Sequence, residues 1–191
     1  MRGFAFVTAI LLSSTAAYAD CAGEFNSLMN RMYAAGPYRI EYFVTRSATT
    51  DQGVIEVMPP DRLSIMAEQF QAIIVGDTWW TRFGSSWVVT PGQDKMITAL
   101  QSEVQRRQQA EDVRNLSCGQ QTMGDQTFAT FEYDFTERLL DVDTDAHIMS
   151  YVDTSNGLAT LQKIETDALG VKSSSVHRIT FDPSISISAP E

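Results

Sequence analysis

Alternation of apolar and polar residues through the middle of the chain predicts a meander of short antiparallel strands, because successive side chains of a strand point to opposite faces. Three breaks separate the apolar runs: Pro59-Pro60-Asp61, Gly76-Asp77 and residues 84–86. Proline cannot donate a backbone hydrogen bond to a neighbouring strand, and glycine adopts the positive φ that tight turns need. The strands predicted in this stretch are residues 53–58, 63–67, 70–75, 78–83 and 87–89.

The same two-residue period continues on both sides of this meander. In the second half of the chain, an Asn156-Gly157 turn separates two of the strands, since this pair tolerates the positive φ of a hairpin. We expect residues 112–124 to be a loop or a weak strand, whereas residues 136–145 are polar and acidic. The further predicted strands are residues 38–45, 126–135, 146–152, 158–167 and 173–181, followed by a short edge strand with Ile185 and Ile187.

Two segments instead have the three- and four-residue spacing of amphipathic helices. Residues 20–35 end at Gly36-Pro37, where glycine favours a C-cap and proline cannot continue a helix. Residues 91–110 have a narrow apolar stripe, which is typical of a helix that covers a surface with one edge. Helices that do not alternate with the strands predict an α+β class with an antiparallel sheet. The stripes are Phe25, Leu28, Met29, Met32 and Tyr33 in the first helix and Met96, Ile97, Leu100 and Val104 in the second.

The N-terminus has the layout of a cleaved secretory signal peptide. Arg2 precedes the apolar run 4–12, and Ala17-Tyr18-Ala19 forms a cleavage site of the A-x-A type. The apolar run is shorter than the roughly 20 residues that span a bilayer. We therefore expect residues 1–19 to be removed on export to the periplasm and residues 20–191 to form a single domain. A retained membrane anchor is the alternative.

Cys21 and Cys118, the two cysteines of the chain, are expected to form a disulfide bond, because exported chains usually pair their thiols. Cys21 lies near the cleavage site, as a lipid-bearing cysteine would, but Asp20 stands where lipoproteins have a small residue. We therefore expect no lipid on Cys21. The formal net charge of −10 and the pI of about 4.6 argue against nucleic acid as a partner, since phosphates bind basic surfaces.

Candidate catalytic and metal-binding groups are few. His147 and His177 are the only histidines of the chain, and no serine lies in a G-x-S-x-G turn. Residues 141–145 resemble the start of a calcium loop, but Ala146 stands where that loop needs glycine. We expect a solvated acidic loop there, with a weak surface calcium site as the alternative. The sequence thus predicts a non-enzymatic protein without a metal or a cofactor, and an unrecognised hydrolase is the alternative.

Two motifs resemble the periplasmic lipoprotein-carrier superfamily that includes LolA and LolB. They are residues 53–63, GVIEVMPPDRL, and residues 74–80, IVGDTWW. The hairpin at residues 153–158 and the later segment 181–185 also resemble the C-terminal part of such exported proteins. The resemblance implies a curved antiparallel sheet, an incomplete β-barrel, with two helices covering its concave face and an interior that holds acyl chains. The diproline corner and the acidity differ from the carriers, so a relative that binds another apolar molecule is expected equally.

We expect an apolar ligand site on one face of this sheet. Alternation places large apolar side chains opposite the charged ones, and one of Trp79 and Trp80 is expected among them. The predicted function is to bind or carry a lipid, an acyl chain or another apolar ligand. The alternative is a structural or interaction protein of the cell envelope that docks a protein partner on the same sheet. The candidate ligand-binding residues are Ile40, Tyr42, Leu63, Ile65, Ile74, Trp79, Trp80, Met96, Ile97, Leu100, Phe131 and Tyr133.

Overall fold

The computed structural model describes residues 14–47, 49–94, 96–98, 112–139, 142–168 and 170–191. These residues form one long helix and eleven strands. The helix, α1, is Ser14–Ala34. The strands are β1 (Tyr38–Arg46), β2 (Thr49–Met58), β3 (Arg62–Ala67), β4 (Gln71–Val75), β5 (Thr78–Phe83), β6 (Ser86–Val89), β7 (Arg114–Met123), β8 (Gln126–Leu139), β9 (Val142–Asp153), β10 (Leu158–Ala168) and β11 (Val171–Phe181).

All eleven strands belong to one antiparallel sheet with the order β6-β5-β4-β3-β2-β1-β11-β10-β9-β8-β7. Strands that follow one another in the chain are neighbours, except β6 and β7, and the two halves join where β1 pairs with β11. Among the described strands, β6 and β7 form the two edges, so the sheet is not closed. The predicted antiparallel α+β architecture is confirmed to this extent. Two helices over a concave face remain a prediction.

α1 packs on one face of the half-sheet β7–β11, and we call this side the α1 face. Phe25 and Leu28, from the predicted apolar stripe, are buried there. The ring of Phe25 lies 5.7 Å from that of Phe131 and 4.8 Å from that of Tyr133. Each such side chain stabilises the fold by about 1.5–3 kcal/mol on burial. The core around them consists of Phe135, Ala146, Ile148, Val152, Ala159, Ile164 and Ile179.

Two links hold α1 against the sheet. The disulfide bond between Cys21 and Cys118 ties the helix to β7, with 5.7 Å between the two Cα atoms. Near the C-terminal end of the helix, Arg31 donates from Nε to the carbonyl oxygen of Gly157 at 3.0 Å, in the β9–β10 hairpin. The predicted disulfide bond is therefore confirmed, and it closes a loop of 97 residues.

The helix begins earlier than the predicted residue Asp20. Helical geometry starts at Ser14 and runs without a break through the predicted cleavage site. Residues 15–19 include three alanines, and alanine has the highest intrinsic helix propensity, which explains the extension. Residues 1–13 lie outside the described residues, so the signal peptide and its cleavage stay predictions.

The prediction of a solvated acidic loop at residues 141–145 is wrong for residues 142–145, which belong to β9. β8 continues to Leu139, and β9 begins at Val142. Cross-strand polar pairs stabilise this extension: Thr136 donates to Oδ1 of Asp145 at 2.8 Å, and Arg114 donates to the same oxygen at 3.0 Å. Arg114 is the first residue of β7, which is a full strand where a loop or weak strand was expected.

The predicted edge strand with Ile185 and Ile187 is also wrong. Residues 182–191 form no strand; instead, this C-terminal tail leaves β11 through a turn in which the Ile185 N–H donates to the Asp182 carbonyl. Both isoleucines are nevertheless buried. Arg62, at the start of β3, donates from Nη1 to the carbonyl oxygen of Ile187 at 2.8 Å. The tail therefore passes β1 and β2 and reaches β3, fixed by packing and by one side-chain hydrogen bond.

The second predicted helix, residues 91–110, is described only at its start. Asp94 and residues 96–98 are helical, and the Ile97 N–H donates to the Gln93 carbonyl at 2.8 Å. Residues 95 and 99–111 lie outside the described residues, and Leu100 and Val104 are among them. The length and position of this helix therefore stay predictions.

Candidate functional site

The strand register gathers most of the candidate residues on the α1 face. Directly opposite residues of antiparallel strands point to the same side of a sheet. Ile40 of β1 pairs with Ile179, which belongs to the core under α1, and on its other side with Ile55, which pairs with Ile65. One apolar row thus runs from β11 across β1 and β2 to β3. The candidate residues on the α1 face are Ile40, Tyr42, Leu63, Ile65, Ile74, Trp79, Phe131 and Tyr133.

The two tryptophans of β5 lie on opposite faces, as adjacent strand residues must. Trp79 pairs with Ile74 and therefore lies on the α1 face. Trp80 pairs with Ile73 and lies on the other side, which we call the far face. The indole N–H of Trp79 donates to Oγ1 of Thr81 at 3.1 Å, which fixes the ring. Trp79 is thus the tryptophan that joins the other candidates, and Trp80 does not.

Phe131 and Tyr133 are buried in the core under α1. Their exposed fractions are 4% and 6%, and the ring of Phe25 packs on both. Here α1 occupies the space that was expected to hold a ligand. These two side chains stabilise the attachment of the helix to the sheet.

The candidates on the other half of the sheet are less covered. Ile40, Leu63, Ile65 and Trp79 are half-buried, although the register puts them in line with the core. Ile74 is buried, with an exposed fraction of 5%. A partly exposed apolar surface that continues a core is a common place for an apolar ligand.

The start of the second helix lies near the turn between β4 and β5. Ile97 is buried and Met96 is half-buried, as their stripe predicts. Asp77 of that turn and Asp94, Ile97 and Thr98 line a small cleft of about 320 Å³. Leu100, the third candidate of this helix, lies outside the described residues.

Sequence reasoning missed a row of polar side chains on the α1 face. Tyr42 pairs with His177, His177 with Gln162, and Gln162 with Ser150. Gln162 donates from Nε2 to Oγ of Ser150 at 3.0 Å. Of this row, only Tyr42 was a candidate. The alternation within residues 158–167 and 173–181 already contained the signal, but the pairing of β1 with β11 was needed to align the four residues.

The far face carries a polar cleft of about 660 Å³ near the end of β7–β11. None of the candidate ligand-binding residues lines this cleft. Carboxylates outnumber cationic groups in its wall, which agrees with the acidity of the chain. The titratable residues that line it are Arg114, Asp134, Asp145, His147, Glu165, Asp167 and Lys172.

His147 is the centre of the hydrogen bonds in this cleft. Its Nδ1 lies 2.8 Å from Oδ1 of Asp134, and its Nε2 lies 3.2 Å from Oε1 of Glu132. The hydrogen bond to Asp134 raises the pKa of His147. The pKa of Asp134 is lowered, first by the hydrogen bond from Asn115, which is 2.6 Å long, and then by that to His147. The cluster is an exposed ion-pair network, since His147 is 47% exposed.

The chemistry available to this network is limited. Within the described residues, the hydrogen bonds of His147 go to carboxylates and not to a serine or cysteine that it could activate. The described residues also contain no group of three His, Cys, Asp or Glu side chains placed to hold a metal ion. In the same part of the chain, no helix is both long and apolar enough to cross a membrane.

Comparisons with known proteins reveal likeness of fold at low sequence identity. No protein-family model and no curated protein sequence matches the chain. The lipoprotein LppX of Mycobacterium tuberculosis has a similar structure, with a TM-score of 0.54 and 11% identity over 87% of this chain and 99% of LppX. The structure of MucB is similar with a TM-score of 0.50 and 12% identity over 90% of this chain, and the match spans 63% of MucB, less than two thirds of it. At these identities the two structures show a likeness of fold alone, which agrees with the antiparallel sheet that the sequence resemblance implies.

Proposed function

We propose that the protein is an exported, non-enzymatic protein that binds or carries a lipid, an acyl chain or another apolar ligand on the α1 face of its sheet. It would act in the periplasm after the removal of residues 1–19. The ligand would lie on the half-sheet β1–β5, next to the part of the face that α1 covers.

One observation carries this proposal. The apolar row of the core continues past α1 through Ile40, Ile55 and Ile65, and these side chains are half-buried. Apolar side chains of this size stabilise a protein by about 1.5–3 kcal/mol each when they leave water. These three side chains are only partly removed from water, so an apolar ligand that covers them would gain the rest of this free energy. The likeness in fold to the carrier superfamily supports the same function.

The test uses two neighbouring residues with opposite orientation. Ile65 lies on the α1 face and Met66 on the far face, since Met66 pairs with Val54. Both are half-buried. We would purify the protein from the periplasm, extract its lipids, and titrate it with the uncharged fluorescent probe N-phenyl-1-naphthylamine. Native mass spectrometry before the extraction would identify any lipid that purifies with the protein.

A charge on the α1 face should weaken ligand binding strongly. Ile65→Lys should lower the affinity for the probe by at least about tenfold, because an unpaired ammonium group in an apolar site costs several kcal/mol. Met66→Lys, the matched control, should bind like the wild type. Thermal unfolding of both variants checks that they are folded. Equal binding by wild type and Ile65→Lys, or no binding by the wild type, would contradict the proposal.

The alternative is an envelope protein that docks a protein partner on the sheet, and one observation favours it. Phe83, Val88 and Val89, at the β5–β6 edge, are 64%, 47% and 53% exposed. Edge strands offer free backbone groups to an added strand. Replacing Phe83 by Ser and Val88 by Thr should then reduce cross-linking to envelope proteins in cells without changing probe binding. Loss of cross-linking together with a wild-type protein that binds no lipid would favour this alternative.

A further inference from the structure

A polar row crosses the apolar α1 face at its middle. Tyr42, His177, Gln162 and Ser150 are directly opposite one another on β1, β11, β10 and β9. Adjacent strands are about 4.8 Å apart, so the row spans roughly 14 Å. Apolar residues lie on both sides of this polar row. They are Ile40 and Ile179 in the row on one side, and Val44, Ile164 and Ile148 in the row on the other side.

The row emerges from under α1 towards the less covered half of the sheet. Ser150, at its inner end, is 1% exposed, and Gln162 hydrogen-bonds to it. Gln162, His177 and Tyr42 are half-buried. Tyr42 is the outer member, and its ring centroid lies 6.3 Å from that of His177. Buried polar groups need hydrogen-bond partners, and a face that served only hydrocarbon would gain nothing from placing them here.

Burial raises the pKa of the Tyr42 hydroxyl, and the nearby Asp51 carboxylate raises it further. This hydroxyl is therefore protonated at neutral pH and can donate a hydrogen bond. The imidazole of His177 and the amide of Gln162 extend the row with groups that donate and accept. The row thus consists of a hydroxyl, an imidazole, an amide and a second hydroxyl, which are groups that form hydrogen bonds.

Cationic residues are absent from this part of the described sheet. No paired position of the polar row, or of the rows on either side, holds Arg or Lys on the α1 face. Asp51, which pairs with Val44, adds a negative charge to the neighbouring row. An anionic head group would lose its water here, find no Arg or Lys in these three rows and meet this carboxylate; Arg46, on the same face of β1, lies one row further out. The site therefore disfavours fatty-acid anions and anionic phospholipids.

We propose that the polar row binds the head of an uncharged amphiphile that carries hydroxyl or ester groups, such as a monoacylglycerol or a diacylglycerol. The acyl chain would lie along the apolar row of Ile40, Ile55 and Ile65. The inference rests on the proposed function, because it names the class of ligand for the same face.

Two ligands with the same acyl chain separate this inference from the function itself. Monoolein and oleate would each displace N-phenyl-1-naphthylamine from lipid-free wild-type protein, at total concentrations below those at which they form aggregates. Monoolein should displace the probe at a concentration at least tenfold lower than oleate. Equal or stronger displacement by oleate would overturn the ligand class and leave the apolar site standing. A wild-type protein that binds neither the probe nor a lipid would overturn both.

The substitution Tyr42→Phe removes the hydroxyl and keeps the ring. It should lower the affinity for monoolein at least fivefold. The affinity for the probe should not change, because the probe has no hydroxyl or ester group. Tyr33→Phe is the matched control, since Tyr33 is an exposed residue of α1 at 46% exposure, and it should change neither affinity. Monoolein binding that is unchanged in folded Tyr42→Phe would contradict a role of the row in head-group binding.

Discussion

Tyr42 lies across Gly53, its direct partner on β2, so closely that a β-carbon at Gly53 would be 2.6 Å from the Tyr42 hydroxyl oxygen. The same β-carbon would be 2.8 Å from the backbone carbonyl oxygen of Met66. A side-chain hydroxyl can move, but a carbonyl inside a strand cannot without disturbing its ladder. Glycine is required here for space, in the middle of a strand where it is otherwise unfavourable.

Gly53→Ala should therefore destabilise the fold by about 1–3 kcal/mol, the usual cost of overpacking. Urea unfolding measures this change. Gly23→Ala is the control, because Gly23 lies in α1 with nothing near its missing β-carbon. There alanine should stabilise the protein by about 0.5–1 kcal/mol through its helix propensity. Equal stability of Gly53→Ala and wild type would show that Tyr42 and the β3 backbone can move enough to make room for the methyl group.

Much of this sheet was predictable because its strands are encoded locally. The strand predicted at residues 78–83 agrees with Thr78–Phe83, and the alternation separates Trp79 from Trp80. Short turns join most neighbouring strands, so their order follows the order in the chain. The local pattern was therefore sufficient for most elements and for the face on which their residues lie.

The contacts that the sequence did not reveal are distant in the chain. The pairing of β1 with β11 joins Tyr42 to His177, which are far apart in sequence, and alternation within each strand contains no information about the partner. The acidic strand ends of β8 and β9 depend on Arg114 from β7, another element. The polar row and the tail were missed for the same reason, since cross-strand pairing and packing decide them.

The ion pair at His147 should make stability depend on pH. The pKa of His147 is raised in the folded protein, chiefly by Asp134, so the protonated form stabilises the fold. This contribution is complete below the pKa of an unfolded histidine, about 6.5, and is lost as the pH rises through the higher folded value. It should amount to less than about 1 kcal/mol, because solvent screens an exposed pair.

His147→Gln tests this pH dependence by urea unfolding at pH 5.5 and pH 9. The wild type should lose more stability between these two values than the variant does. Asp134→Asn should likewise lose less stability between pH 5.5 and pH 9 than the wild type, since it removes the main partner of the imidazolium. Parallel pH profiles of wild type and both variants would exclude a contribution from this pair.

The disulfide bond makes a prediction about processing. Its formation uses the sulfur of Cys21, the atom to which a lipoprotein lipid would be attached, so the paired chain cannot be lipidated there. Intact-mass measurement of exported protein should give a chain that begins at Asp20, two hydrogens lighter than the reduced form. A species that begins at Cys21 and carries an acyl mass would refute this.

Removal of the bond should lower stability substantially. Closing a loop of 97 residues removes about 4–5 kcal/mol of unfolded-state entropy in the chain model. The double substitution of Cys21 and Cys118 by serine should therefore reduce the free energy of unfolding by up to that amount. Reduction of the wild type should have the same effect, and an unchanged unfolding midpoint after complete reduction would contradict it.

The C-terminal tail should contribute to stability although it forms no strand. Ile187 is 3% exposed, and its carbonyl accepts the hydrogen bond from Arg62 of β3. Ile187→Ala removes buried methyl groups and leaves a cavity, which usually costs about 2–5 kcal/mol. The expected loss is near the lower end, because a segment outside the strands can settle into part of the space.

Its neighbour Ser186 provides the matched control, because it is exposed and precedes Ile187 directly. Ser186→Ala should stay within about 0.5 kcal/mol of wild type. Arg62→Met tests the second contact: it keeps much of the side-chain volume and leaves the Ile187 carbonyl without its donor, at a cost of about 1–3 kcal/mol. If Ile187→Ala and Ser186→Ala have equal stabilities, the tail is not docked in solution. If Ile187→Ala alone is destabilised, packing rather than the hydrogen bond holds the tail across β1 and β2.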